Sequence, residues 1–303
     1  MRVILSRKGF DGINGGMPSP IMPNGDMISM PIPSDGDRDR YSALTYKGKT
    51  YLKILRELKP SFPHCRCHLD PDLDVKRRIV RIRKWKPAFG QIGSSAAHLL
   101  KTNNIGSGDI ILFFGNFHHV EEIAGRYRYV RHSGDFYCDN DVQVIWGYLQ
   151  VGEVIVDPRR ILHEYPWHPH ACKSRLKELS NVLIIPKKHL SFAPKQSGWG
   201  VLPYSKERVL TKKGAGKATW NHNSVYAPSN ITSRRRNCAA NNGIYYSGIW
   251  QELGLRQSRA TSEWARKIIL GTIKKATPRA GLKTGMKEYD ADLDRDLDDL
   301  IKK

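Results

Sequence analysis

GSGDIILFFGNF, Gly106 to Phe117, and VQVIWGYLQVGEVIV, Val142 to Val156, are the two runs from which the fold of this chain is read. Each passes from turn residues into β-branched and aromatic ones, the pattern of buried strands. Gly115 in the first run, and Gly147 and Gly152 in the second, interrupt the side-chain cover where a bulge or a close backbone approach is expected. Bulged strands curve. The sequence therefore predicts an α+β protein built on a curved mixed β-sheet or a small barrel with flanking helices, whose loops form a mouth.

The chain has 303 residues, with 50 Lys and Arg against 29 Asp and Glu, a net charge of +21. Such an excess attracts polyanions and makes the attraction salt-dependent, so nucleic acid is the expected partner. A membrane is not expected: there is no run of about 18 apolar residues and no signal pattern at the N-terminus. Five cysteines, Cys65, Cys67, Cys138, Cys172 and Cys238, are an odd and scattered set, which points to a reduced, cytoplasmic setting. His64-Cys65-Arg66-Cys67-His68 looks like a metal cluster. Cys-x-Cys is too tight for a zinc knuckle, however, and no second Cys-x-x-Cys follows, so no metal ligand and no cofactor is assigned.

Met1 to Leu5 reads as a strand that delivers a polar, glycine-bearing loop to the sheet edge. Asp11 follows that strand with Arg7 and Lys8 beside it, which makes it the first carboxylate candidate. The bland alternative is a turn aspartate bonded to its own backbone. Asn24-Gly25 signals a hairpin. Leu52, Leu55 and Leu58 give Tyr51 to Leu58 helical spacing, stopped by Pro60. Asp70 and Asp72 lie two apart, so in an extended backbone they share a face. They can then divide acid and base roles, or simply form a turn that caps the next helix.

Phe89 to Leu100 reads as a glycine loop entering a helix of small residues, with Gln91 placed to bond a base edge. Its spacing fits neither a Walker nor a Rossmann fingerprint. Arg126, Tyr127, Arg128, Tyr129 and Arg131 alternate charge and ring. A strand there puts arginines on one face, for phosphates, and tyrosines on the other, for stacking, with a solvated hairpin as the plain alternative. His168-Pro169-His170 reads as two imidazoles pinned in extended backbone. Asn181 to Pro186 is a further strand. From Asn230 the composition shifts to Arg234, Arg235 and Arg236, a helix at Tyr245 to Leu253, and a second helix at Ser262 to Lys275 with Trp264, Ile268 and Ile273 as its apolar stripe. An acidic tail, Glu288 to Asp299, follows. Two parts result: a recognition and catalytic part, residues 1–225, and a basic helical region with the acidic tail, residues 226–303.

The words LSRKGFD, GGMPSP, HLDPDL, FGQIGSSAAHL, GDIILFFGNF, VIWGYLQVGE and HPH, in this order, resemble the nucleotide modification associated domain 3 family over Met1 to Asn223. That resemblance implies work on nucleic-acid bases, in particular the hypermodified DNA of bacteriophages. GDIILFF followed by VIWGYLQVGEV is also similar to the strand pattern of PUA and EVE type barrels. This likeness implies a PUA-like barrel holding a flipped modified base. Phe114, Phe117 and Trp146 are then candidates for stacking, with core packing as their other use.

Three readings share a DNA-binding surface. The first is a DNA glycosylase, a hydrolase that excises a flipped modified base in defence against phage. Asp11, Asp70 and Asp72 are its candidate carboxylates, and His168 and His170 its candidates for base contact or protonation. Arg7, Lys8, Gln91, Asn116, Arg126, Arg128, Arg131, Arg234, Arg235 and Arg236 are the expected nucleic-acid contacts. The second is a reader or synthetic partner that binds the base without cutting. The third is a metal-dependent nuclease using Asp70 and Asp72.

Overall fold

The two runs become neighbouring antiparallel strands of 14 residues each at the centre of a mixed sheet, in a computed structural model that describes residues 1–232, 239–240, 243–245 and 252–271. In chain order this nine-stranded sheet holds β1 (Val3–Arg7), β2 (Ser19–Ile21), β3 (Phe89–Gln91), β4 (Ile110–Ile123), β5 (Arg126–Tyr129), β6 (Val142–Ile155), β7 (Val182–Pro186), β8 (Trp199–Val201) and β9 (Glu252–Leu255). Its main path is β9-β1-β4-β6-β7-β3, rolled into a half-barrel. β1 and β2 lie parallel to β4, and the other pairings are antiparallel.

All three glycine interruptions are used. The register of β6 shifts against β4 between Ile145 and Gly147, and against β7 between Val151 and Glu153. Each bulge bends the strand, so β6 changes partners along its length: Gly147–Leu149 pair with β8 and Val151–Ile155 with β7. A methyl group at position 115 would overlap the Lys8 carbonyl. Its absence lets the chain leaving β1 keep to β4, where the Lys8 N–H donates to Phe114 O at 2.8 Å. The polar insertion after Phe117 extends β4 to Ile123 and returns as β5.

Three apolar clusters hold the molecule. The largest lies against the sheet and includes Phe114, Phe117 and Trp146, all at most 1% exposed, so these rings pack the core and present no stacking face. The second, around Phe10, Tyr41, Leu55, Phe62 and Cys67, sits beneath α1 (Tyr51–Leu58). Thr50 caps that helix by accepting from the Lys53 N–H. Its buried face is Tyr51, Ile54 and Leu55, with Leu52 and Leu58 only half-buried. The third cluster joins Ala88, Ile155, Ile161, Tyr165, Ala171 and Leu183.

The two described ends of the helix predicted at Tyr245 to Leu253 are strand instead, and 246–251 lie outside the described residues. Tyr245 ends a short strand, and Glu252–Leu255 form β9, entirely buried. Val3–Ser6 offer a row of backbone groups on the free edge of β1, and pairing with that row overrides local helix preference. The next helix, α2 (Arg259–Leu270), starts at Ser258, whose hydroxyl accepts from the Thr261 N–H, and stops at Gly271 with φ +73°. β9 and α2 belong to the same compact unit as the sheet, Met1–Gly271. Arg234, Arg235, Arg236, Ile273, Lys274, Lys275 and the acidic tail lie outside the described residues. Among those described, no helix is long and apolar enough to cross a membrane, and Cys65, Cys67, Cys138 and Cys172 are free thiols.

Candidate functional site

Where β1 ends, its last residues meet segments that border all three apolar clusters. Polar groups that none of the clusters can bury collect there around a cavity of about 310 Å³. Of the residues singled out from sequence, Arg7, Lys8, Asp11, Asp70, Gln91 and His170 line it; His68 and Arg175 join them.

Asp70 is the centre of the cluster, with 2% of its side chain exposed. Its Oδ1 accepts the Gly90 N–H at 2.6 Å, and His168 Nε2 lies 3.4 Å from the same oxygen, close enough for an ion pair but outside hydrogen-bond geometry. Lys8 Nζ stands 3.8 Å from Oδ2 and 4.6 Å from the centre of the Phe89 ring, a cation–π contact that keeps the ammonium at the cavity floor. Burial pushes the Asp70 carboxyl up, but His168 and the Lys8 charge outweigh it and hold the group well below the usual carboxylate range.

His168 and His170 are not held in extended backbone throughout. Proline suits the first position of a helical turn, and Pro169–Ala171 form one turn of 3-10 helix that brings the two rings to 5.5 Å. His168 Nδ1 accepts the His170 N–H at 3.2 Å, so Nε2 carries the proton that faces Asp70. Asn181 Nδ2 donates to the His170 carbonyl at 3.0 Å, which fixes its Oδ1 as the acceptor for His170 Nδ1–H at 2.7 Å. Burial drives His170 down to about 3, against the pull of Asp70. The ring is neutral at ordinary pH and offers the cavity a lone pair on Nε2. It does so against the backbone of Gly90, where a methyl group would overlap the imidazole.

His68 is held in the same way. Its Nδ1 donates to Asp37 Oδ2 at 2.9 Å, and Arg175 grips Asp37 with both guanidinium nitrogens, at 2.5 and 2.9 Å. Burial raises the Asp37 carboxyl, yet His68 and Arg175 hold it far below its ordinary value. One potential ligand atom from each of His68, Asp70 and His170 lies within 4.8 Å of the others.

Several candidates do other work. Asp11 lines the cavity, but its Oδ1 accepts from the Ile13 and Asn14 N–H groups at 2.8 and 2.7 Å and its Oδ2 faces Arg7 at 3.5 Å, so it holds its own turn. Asp72 shares no environment with Asp70: its Oδ2 is taken by Arg78 at 2.8 Å and the Trp85 indole at 2.9 Å. Asn116 is buried and donates to Asp141, away from the cavity lining. Arg126 and Arg128 are exposed on β5 as the alternation predicts, and with Lys53 and Arg56 they line a separate surface groove. Arg131 is exposed as well. Tyr127 and Tyr129, expected to stack on bases, instead turn into the second apolar cluster, where the Tyr129 hydroxyl donates to Pro18 O at 2.7 Å.

Sequence reasoning passed over Asp37, Arg175, Asn181 and Glu252. Glu252, on β9, is 3% exposed, accepts from Gln91 Nε2 and meets Ser6 Oγ at 3.5 Å, so it braces the amide that lines the cavity. Burial pushes its carboxyl up, although Lys8, Ser95, Gln91 and Ser6 pull it down. No curated protein and no solved structure matches the chain. One family model does: it covers residues 2–263, well past Asn223 and through the strand that carries Glu252, and it links the chain to nucleotide modification. On that match the chain belongs to the nucleotide modification associated domain 3 family.

Proposed function

We propose that this protein is a DNA-binding enzyme that takes one modified base out of the stack into the cavity beside β1 and hydrolyses its N-glycosidic bond. The observation that carries this reading is Asp70, a buried carboxylate kept ionised by its neighbours at the floor of a polar cavity. A negative charge there stabilises the sugar cation as the bond to the base breaks, and accepts the proton of the water that adds to the sugar carbon. The bonding pair leaves with the base, whose nitrogen is protonated from the Lys8 ammonium. His170, neutral with its Nδ1–H given to Asn181, acts as a hydrogen-bond acceptor and not as the acid. His168 orients Asp70.

The net charge of +21 supplies the long-range attraction for DNA. The groove of Lys53, Arg56, Arg126 and Arg128 is the proposed backbone contact. Phage DNA carrying altered bases, met in the cytoplasm, is the proposed substrate. The test incubates the purified protein with DNA from phages bearing different modifications and identifies released bases by mass spectrometry. Release that Asp70→Asn abolishes and Asp72→Asn spares is the expected result. If no base is released from any such DNA, excision is wrong and the cavity is a reader's binding cup.

A further inference from the structure

We propose that His68, Asp70 and His170 together bind one divalent transition-metal ion at the floor of the cavity. Their potential ligand atoms already converge within 4.8 Å. Ligands about 2.1 Å from one ion stand roughly 3.0–3.5 Å apart, so binding requires the side chains to close in by about 1 Å.

The stronger argument lies behind the ligands. Both imidazoles donate Nδ1–H outward from the cavity, His68 to the Asp37 carboxylate at 2.9 Å and His170 to the Asn181 amide at 2.7 Å. Each acceptor is itself locked, Asp37 by Arg175 and Asn181 by the His170 carbonyl. The tautomer of each ring is thereby fixed, and Nε2 is the nitrogen left with a lone pair. Metal-binding histidines are oriented by this kind of carboxylate or amide partner. Asp70 gives Oδ1 to the Gly90 N–H, and Oδ2, which faces Lys8 Nζ at 3.8 Å, is the oxygen that would turn from that ammonium to a bound cation. Two imidazoles with one carboxylate favour zinc, iron(II) and their neighbours over magnesium or calcium, and three protein ligands leave positions for a water or a substrate oxygen.

This site goes beyond base excision and does not rest on it. With an ion bound, Asp70 acts through a metal-held water; without one, it acts directly. Asp70→Asn damages both, so metal uptake is measured by itself.

Full-length protein is stripped with chelator and titrated with Co²⁺, followed by visible absorption and by bound-metal stoichiometry. One Co²⁺ per chain is expected. His68→Gln and His170→Gln should each weaken binding by on the order of 100-fold or more, and Asp37→Asn by about 10- to 100-fold. His118→Gln should leave it unchanged. In cobalt-loaded wild type, two exchangeable imidazole N–H signals should be paramagnetically shifted in the NMR spectrum, one from each Nδ1–H. That readout holds even if a variant fails to fold. No uptake by wild type, uptake that both glutamine variants retain, or a cobalt form lacking the two shifted signals overturns the site.

Discussion

His118 and His68 each set Nδ1 2.9 Å from an aspartate oxygen, yet the two clusters around them end differently. His118 lies on β4, and its second nitrogen meets the Val130 carbonyl at 2.9 Å, while its partner Asp141 also receives Asn116 and Lys217. That cluster is closed. At the end of β1, His68 and His170 spend one ring nitrogen each on a fixed partner, and both residues line a cavity. The closed cluster satisfies itself within the protein, whereas the open one turns two imidazoles and a carboxylate toward a cavity where water or a ligand can meet them.

The largest effect expected from this contrast is on base release. Asp70→Asn should lower the single-turnover rate by about 10²- to 10⁴-fold, the range for losing a positioned acid-base or charge-stabilising group. Asp141→Asn, in the closed cluster, should leave that rate within about twofold and instead cost roughly 1–3 kcal/mol of stability, read from urea denaturation. Equal loss of rate in both variants would erase the distinction.

Gly90→Ala comes next, because it disturbs the open cluster without removing any of its functional groups. The added methyl meets the His170 ring, which is backed by Asn181 and has nowhere easy to go. Overpacking of this kind costs typically about 1–3 kcal/mol. Release should fall about tenfold or more while DNA affinity stays near wild type. A normal rate would show that the position of His170 is immaterial to the reaction.

A smaller effect is expected at the surface groove, which concerns affinity and not chemistry. Replacing Arg126 and Arg128 together by alanine should reduce the slope of log affinity against log salt by roughly 2. Release from saturating DNA should not change. An unaltered slope would remove the groove from the DNA path.

How much of this was legible in the sequence follows the same line between closed and open. The strands β4 and β6 were readable because burial on both faces imposes a local pattern, and Gly115, Gly147 and Gly152 were readable because a bulge or a close approach requires glycine where it occurs. Asp70 and His170 stood out in stretches dense in carboxylate and imidazole. His68 was in view but was weighed with its cysteine neighbours, and those part company in space: Cys65 is exposed and Cys67 sits in the second apolar cluster. Asp37 left no signal, since Arg175, its bidentate partner, is 138 residues away. Asp72 misled because alternation predicts a face and not a partner, and Arg78 and Trp85 claimed its side chain. The C-terminal end of the helix expected at Tyr245 to Leu253 is strand for a related reason: at Glu252–Leu255 the edge of β1 outweighs local preference.

Glu252 tests whether the open cluster reaches behind Gln91, through the smallest effect and a definite sign. Its carboxyl is raised by burial. A group whose folded value is raised contributes stability that is whole below its ordinary value and is lost as pH rises through the raised one. Glu252→Gln keeps the neutral form at every pH and can still accept from Gln91. The variant should melt like wild type near about pH 4 and higher than wild type near about pH 8, by about 2–4 °C for each kcal/mol relieved in a chain of this size. Should the glutamine variant instead melt lower at the higher pH, the Glu252 charge is stabilised by Lys8. Lys8 would then be shared between Asp70 and Glu252, and the two carboxylates would belong to one electrostatic unit.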